Sequence, residues 1–158
     1  MILSVSLMFI GCSRKNYNFS DSAEIFKTRE GKEIPFSTLS ENTLVLIFSY
    51  ECGYSLFNTK LFNGIKSNCK NKNVNFVAFT EISKDVSFAK YPQYQEYLKE
   101  DLEWDIIDNQ RDFYVKNLLK EEIFPKLIYI KNGKRVLSIK GVPNDRDIEK
   151  INQIINES

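Results

Sequence analysis

Thr43-Leu44-Val45-Leu46-Ile47-Phe48-Ser49-Tyr50-Glu51-Cys52-Gly53-Tyr54-Ser55 is an apolar run that gives way to a cysteine and then to a helical pattern. The run from Thr43 to Ser49 lacks internal polar alternation, which predicts a central strand buried on both faces. Beyond Cys52, apolar Phe57, Leu61, Ile65 and Cys69 recur every four positions with Leu56 beside them. This spacing predicts one helix from Tyr54 to Cys69, laid on the sheet by that face and broken by Asn71 and Asn73. Cys52 therefore falls at a strand-to-helix junction, where free backbone N–H groups and the helix dipole favour a thiolate, the reactive form. Ser55 occupies the place where a second thiol would complete a Cys-x-x-Cys pair.

Working outward, the chain reads as alternating short strands and helices. Glu24 to Thr28 and Ile34 to Leu39 are expected strands flanking the turn Arg29-Glu30-Gly31-Lys32. Val74 to Thr80 is a second buried strand, and Tyr91 to Lys99 reads as a short aromatic-rich helix begun through Pro92. Trp104 to Ile107 is a weaker strand signal, and Asp112 to Glu122 is helical with apolar Phe113, Val115, Leu118 and Leu119. Lys126 to Ile130 and Arg135 to Lys140 are joined by Asn132-Gly133, the strongest hairpin signal in the chain. Asp145 to Ile155 closes the domain as a helix with Ile148, Ile151, Ile154 and Ile155 at helical spacing.

A chain of 158 residues with 42% hydrophobic and 27% charged residues fits one domain plus an N-terminal appendage. Lys and Arg number 22 against 21 Asp and Glu, so no global field draws nucleic acid, and no nucleic-acid partner is expected. The absence of histidine rules out Ser-His and Cys-His nucleophile pairs and every His-ligated metal site; no metal and no cofactor are expected. Cys12, Cys52 and Cys69 match neither zinc-ligand spacing nor a disulfide framework.

Met1 to Ile10 is apolar but only about half the ~20 residues that span a bilayer, so a signal-peptide core fits better than a permanent span. Phe9-Ile10-Gly11-Cys12 resembles a bacterial lipobox, with Phe9 in place of the usual Leu and no Lys or Arg before the apolar core. The resemblance implies a signal peptide over 1–11, lipidation at Cys12, a tether over 12–22 and a folded domain over 23–158, held on a membrane outside the cytoplasm and facing the periplasm. The alternative is a buried first strand or helix containing Cys12.

The element order, the strand leading into Cys52-Gly53-Tyr54-Ser55, and Ile123-Phe124-Pro125-Lys126-Leu127-Ile128-Tyr129-Ile130-Lys131-Asn132-Gly133-Lys134 together resemble the thioredoxin-like superfamily. The likeness is to bacterial thiol-disulfide oxidoreductases and redoxins of the TlpA and AhpC/TSA type, here a lipoprotein with a Cys-x-x-Ser variant of the motif. It implies an α/β fold, a central mixed β-sheet flanked by helices with an N-terminal hairpin extension. It implies a cis Pro125 facing Cys52, and Gly141 at the end of the hairpin's second strand; sequence alone favours a trans proline that begins a strand. A cis bond would let Phe124 present its backbone to an extended peptide. The implied site is Cys52 and Ser55 for catalysis, with Gly53, Tyr54, Phe124 and Pro125 binding substrate.

Without a second thiol, the internal step that releases a mixed disulfide is missing, so a monothiol route needs an external reductant or resolving thiol. Partners would then be protein or small-molecule disulfides and thiols, and Ser55 is expected to hydrogen-bond the thiolate. Cys69 at the far end of one helix would lie roughly 20 to 25 Å away, beyond disulfide reach, and reads as a buried structural cysteine. Two other functions stay open. A non-catalytic binding module would use Tyr50, Tyr54, Phe57, Tyr91, Tyr94 and Tyr97 as its surface. A one-cysteine peroxidase would want Pro-x-x-x-Thr-x-x-Cys, where this chain has Val45, Ser49 and Cys52, and a cation such as Arg111 or Arg135. Glu51, beside the thiol, reads as a solvent-facing acid.

Overall fold

In the computed structural model, which describes residues 24–69, 72–118 and 123–156, the chain begins with an antiparallel hairpin of Ile25–Lys27 (β1) and Glu33–Pro35 (β2). Its turn works through Gly31, whose φ of +86° suits a residue without a Cβ. The second strand is shorter than expected: Pro35 ends it, and Phe36–Ser40 winds into a 3₁₀ turn that buries Phe36 and Leu39.

Thr43–Phe48 (β3) follows, buried at every position. Gly53–Phe57 (α1) and Thr59–Asn68 (α2) come next, then Asn75–Thr80 (β4), Lys84–Lys90 (α3) and a 3₁₀ turn at Pro92–Tyr97. Asp105–Ile107 (β5), Arg111–Asn117 (α4), Lys126–Lys131 (β6), Lys134–Lys140 (β7) and Asp145–Asn156 (α5) complete the order. The signal peptide over 1–11, Cys12 and the whole tether over 12–22 fall outside the described residues.

The main sheet has five strands in the order β5-β4-β3-β6-β7. β3, β4 and β5 run parallel, while β6 is antiparallel to both β3 and β7. The sheet is therefore mixed, and the continuous apolar run is its middle strand, as a strand covered on both faces requires. Because side chains alternate along a strand, β3 feeds two cores. Leu44, Leu46 and Phe48 pack with Phe62 and Ile65 of α2 and Ile151 and Ile155 of α5. Val45 and Ile47 pack with Phe26 and Ile34 of the hairpin, with Phe36 and Leu39, and with Tyr114 of α4.

Three expectations need correction. The single helix over Tyr54 to Cys69 is interrupted at Asn58, which leaves helical geometry at φ −107°, ψ 15°, while its side-chain N–H donates to the Tyr54 carbonyl at 2.8 Å. The break rotates the buried stripe: Leu56, Thr59, Phe62, Asn63 and Ile65 face inward, whereas Phe57 is 48% exposed. The aromatic helix at Tyr91 to Lys99 is a 3₁₀ turn, and α3 before it carries no apolar stripe; its signal is Ser83, whose hydroxyl accepts the Val86 N–H, with Asp85 in the first turn. Of the helix expected over Asp112 to Glu122, α4 ends at Asn117 with Leu118 as its cap, and 119–122 lie outside the described residues.

Candidate functional site

Parallel strands deliver their C-terminal ends to one edge of the sheet, and that edge is where α/β folds build sites. β3 arrives there through Ser49-Tyr50-Glu51 at Cys52. Cys52 caps α1 in extended geometry, φ −117° and ψ 114°, and its carbonyl accepts the N–H groups of Ser55 at 3.0 Å and Leu56 at 3.1 Å. β6 runs the other way, so its beginning lies at the same edge. The Phe124–Pro125 bond is cis, and the Cys52 thiol donates to the Phe124 carbonyl at 3.7 Å. Gly141, at φ +78° just past β7, donates its N–H to the Pro125 carbonyl at 2.8 Å and ties this turn to the sheet. Cys52, Phe124 and Pro125, 72 residues apart in the case of the thiol contact, are thus brought together.

The neighbours of Cys52 divide. Tyr54 is 72% exposed, on the rim of the site. A Cβ on Gly53 would meet only the Phe57 ring, at 3.8 Å, so its glycine is not demanded by crowding. Ser55 is fully buried, and its hydroxyl accepts the Ser49 N–H at 3.4 Å. The expected Ser55–Cys52 hydrogen bond is not formed among the described residues: Ser55 faces the core, because α1 begins directly at Cys52 and carries its third residue inward. Glu51 is half-buried rather than solvent-facing, and its Oε1 is withdrawn from water with no hydrogen-bond partner among the described residues. Cys69 is buried in the α2-side core, where burial pushes its thiol up against a smaller opposing pull from Lys72.

A polar cluster at the same edge escaped the sequence reading. Arg29, in the hairpin turn, donates to both carboxylate oxygens of Asp108 at 3.0 and 2.7 Å, and to the Tyr50 hydroxyl at 3.0 Å. Thr80 donates to Asp108 at 2.7 Å. The guanidinium also lies 5.2 Å from the centre of the Tyr50 ring. Burial alone would make Arg29 easier to deprotonate, but Asp108 and Tyr50 more than reverse this and hold it charged. Burial pushes the Tyr50 hydroxyl up, with Arg29 opposing. Tyr50, expected on a recognition surface, is 2% exposed and belongs to this network and the core. Arg111 pairs with Glu81 at 3.2 Å, while Arg135 pairs across the sheet with Ile130, at the end away from Cys52.

No family model and no curated protein matches the chain. Among solved structures it is similar to StoA from Bacillus subtilis, with a TM-score of 0.63 and 12% identity over 85% of this chain and 99% of that one. It is also similar to the thioredoxin domain of a thiol-disulfide oxidoreductase from Bacteroides vulgatus, at TM-score 0.59 and 15% identity over 90% of this chain and 99% of that one. A secreted disulfide oxidoreductase from Mycobacterium tuberculosis aligns at TM-score 0.57 and 8% identity over 86% and 96% of the two chains. At such identities the likeness is one of architecture. A mixed sheet with helices on both faces, a cysteine capping the helix after its middle strand and a cis proline opposite it make this chain's fold thioredoxin-like, with an N-terminal hairpin added.

Proposed function

We propose that the chain performs thiol-disulfide exchange through Cys52 by a monothiol route. The observation that carries this reading is the approach of the Cys52 thiol to the Phe124 carbonyl beside cis Pro125, which puts the sulfur next to backbone that a substrate chain can pair with. The Cys52 thiolate attacks one sulfur of a substrate disulfide; a mixed disulfide forms and the other substrate sulfur leaves as a thiolate. An external thiol then attacks the mixed disulfide and releases Cys52, forming a new disulfide with the substrate sulfur. Gly53, Tyr54, Phe124 and Pro125 would bound the substrate. Ser55 has no part in release, since it carries no thiol and its hydroxyl is turned to the Ser49 N–H.

The secreted mycobacterial neighbour supports a place outside the cytoplasm, and the lipobox-like Phe9-Ile10-Gly11-Cys12 supports a lipid anchor, with 12–22 as tether to the domain over 23–158. Among the described residues no helix is long and apolar enough to cross a membrane. A peroxidase has less support, because Val45 and Ser49 stand where its Pro-x-x-x-Thr-x-x-Cys motif has proline and threonine.

The test is mass spectrometry of the full chain after treatment with 2-hydroxyethyl disulfide. The expected result is an adduct located on Cys52 by peptide mapping, which persists until glutathione is added and is absent from that site in Cys52→Ser. Ser55→Cys should shed the adduct without added thiol, because a neighbouring sulfur restores internal release. A native protein whose Cys52 takes no adduct under conditions that modify the unfolded chain would sink the exchange reading.

A further inference from the structure

Cys52 is delivered by a four-residue turn. Its backbone N–H donates to the Ser49 carbonyl at 3.2 Å, which puts Tyr50 and Glu51 at the corners of a β-turn and Cys52 at its exit. The Ser49 hydroxyl accepts the Glu51 N–H at 3.2 Å, and the Ser49 N–H donates to the Ser55 hydroxyl at 3.4 Å. These bonds shape the turn but leave its tilt against the cis Pro125 segment to the corner residues. Tyr50 sets that tilt from both ends of its side chain. Its ring is buried 5.0 Å from Phe48 and 5.8 Å from Phe88, and its hydroxyl accepts from Nη1 of Arg29 at 3.0 Å.

Arg29 divides its donors. Nε and Nη2 form the fork on Asp108, and that fork by itself staples the hairpin turn to the end of β5. Asp108 is in turn held at 2.7 Å by the hydroxyl of Thr80, the last residue of β4. The guanidinium is thus fixed by the ends of two strands before its remaining arm reaches the turn after the third, β3, where the nucleophile lies. That arm is surplus to the staple. We propose that Arg29 is a positioning residue for exchange: through the Tyr50 hydroxyl it sets the Ser49–Cys52 turn so that the sulfur stands at the Phe124 carbonyl, aimed at a peptide disulfide laid along that backbone. The proposal rests on the exchange reading and adds to it the part of the chain that aims the thiol. Displacement at sulfur needs the thiolate on the axis of the bond it breaks, so poor aim costs rate even where the thiolate is intact. A small alkylating agent pairs with no backbone and is far less sensitive to aim.

Tyr50→Phe separates this role from a purely structural one, because it removes the Nη1 acceptor and leaves the buried ring and the Asp108 fork in place. The experiment uses the full chain at neutral pH and a short synthetic peptide oxidised to its homodimer through a single cysteine. The rate at which Cys52 forms a mixed disulfide with this peptide is divided by the rate of its alkylation by iodoacetamide, both read by peptide mapping. The ratio is expected to fall about tenfold in Arg29→Ala and about threefold in Tyr50→Phe and in Arg29→Lys. It should keep its wild-type value in Asp105→Asn, which removes the ion pair with Lys32 elsewhere on the hairpin. In a Tyr50→Phe background Arg29→Lys should cause no further fall, since both changes act on one hydrogen bond. Should Arg29→Ala fail to fold, Tyr50→Phe and Arg29→Lys decide. A ratio unchanged in those two variants, whether the separate rates hold or fall together, overturns the proposal and leaves Arg29 a staple of the fold. An equal fall in Asp105→Asn overturns it as well. A wild-type chain that forms no mixed disulfide overturns the exchange reading and this proposal with it, whereas a reactive wild type with unchanged variants counts against Arg29 alone.

Discussion

Tyr50 stands two residues before the candidate nucleophile and ties that stretch of chain to the hairpin turn and to the core. Its hydroxyl accepts from Arg29 while its ring lies 5.0 Å from Phe48 and 5.8 Å from Phe88. Burial raises its folded-state pKa, and this fixes a direction with pH. Below about pH 10 the hydroxyl is protonated in both states; above it the unfolded chain releases the proton first. The associated stability is thus fully present below that pH and is lost as pH climbs through the folded value. In urea titrations between about pH 8 and 11, the wild-type midpoint should fall more steeply on the alkaline side than that of Tyr50→Phe. At neutral pH the same variant should be less stable by about 1 kcal/mol, since Arg29 loses an acceptor. Parallel alkaline limbs would show that Tyr50 contributes nothing to the pH response. The cysteines give a second residue-scale outcome: in native protein at neutral pH, iodoacetamide should modify Cys52 well before Cys69, which is buried with its thiol pushed up. Equal rates, read by peptide mapping, would contradict that burial. Cys52 was legible because its junction is written in adjacent residues. The orientation of Ser55 was not, since it depends on where the helix begins to the residue.

At the scale of elements, legibility followed the strength of local pattern. β3 was unmistakable because burial on both faces removes polar alternation, and the β6–β7 turn because Asn132 and Gly133 both need positive φ, found at 51° and 68°. α3 was missed because it buries only Ser87 and Phe88 and so has no stripe to detect. The break at Asn58 was missed for the opposite reason: the four-residue spacing of Phe57, Leu61 and Ile65 mimics a stripe through a site where the helix actually turns. Gly141 offers an element-scale test. No heavy atom lies within 4 Å of a Cβ built there, so Gly141→Ala meets no clash and suffers only from the positive φ of 78°. The expected cost is about 1 to 2 kcal/mol by thermal unfolding, with Gly141→Asn costing less because Asn tolerates that region better. If Ala and Asn cost nothing, the backbone there has another conformation and the link to the Pro125 carbonyl is not as described.

For the molecule as a whole, the question is what couples the hairpin to the sheet that carries the site. Its apolar share was partly readable, since Phe26 and Ile34 alternate with exposed residues and pack on Phe79 and the odd-numbered face of β3. The polar share was not readable, because Arg29 and Asp108 are 79 residues apart and only the folded topology brings a turn residue to the end of β5. Arg29 also donates its backbone N–H to Ile106 at 2.8 Å, and Lys32 pairs with Asp105 at 2.6 Å. These ties differ in weight. The Lys32 side chain is 61% exposed, so its pair with Asp105 should be worth ~0 to 1 kcal/mol. The Arg29 fork is 29% exposed and its Asp108 partner 16%, and removing it leaves Asp108 with Thr80 and Tyr50 with no cation. Arg29→Ala should therefore cost about 1.5 to 3 kcal/mol, and Arg29→Lys should recover only part, because an ammonium cannot span both carboxylate oxygens and the phenol. Tyr50 continues directly into Glu51 and Cys52, so the same variant should change the rate at which Cys52 is alkylated, whereas Asp105→Asn should leave that rate where it was. Equal effects of Arg29→Ala and Asp105→Asn on urea midpoint and alkylation would mean that apolar contact alone holds the hairpin and that it has no hold on the site.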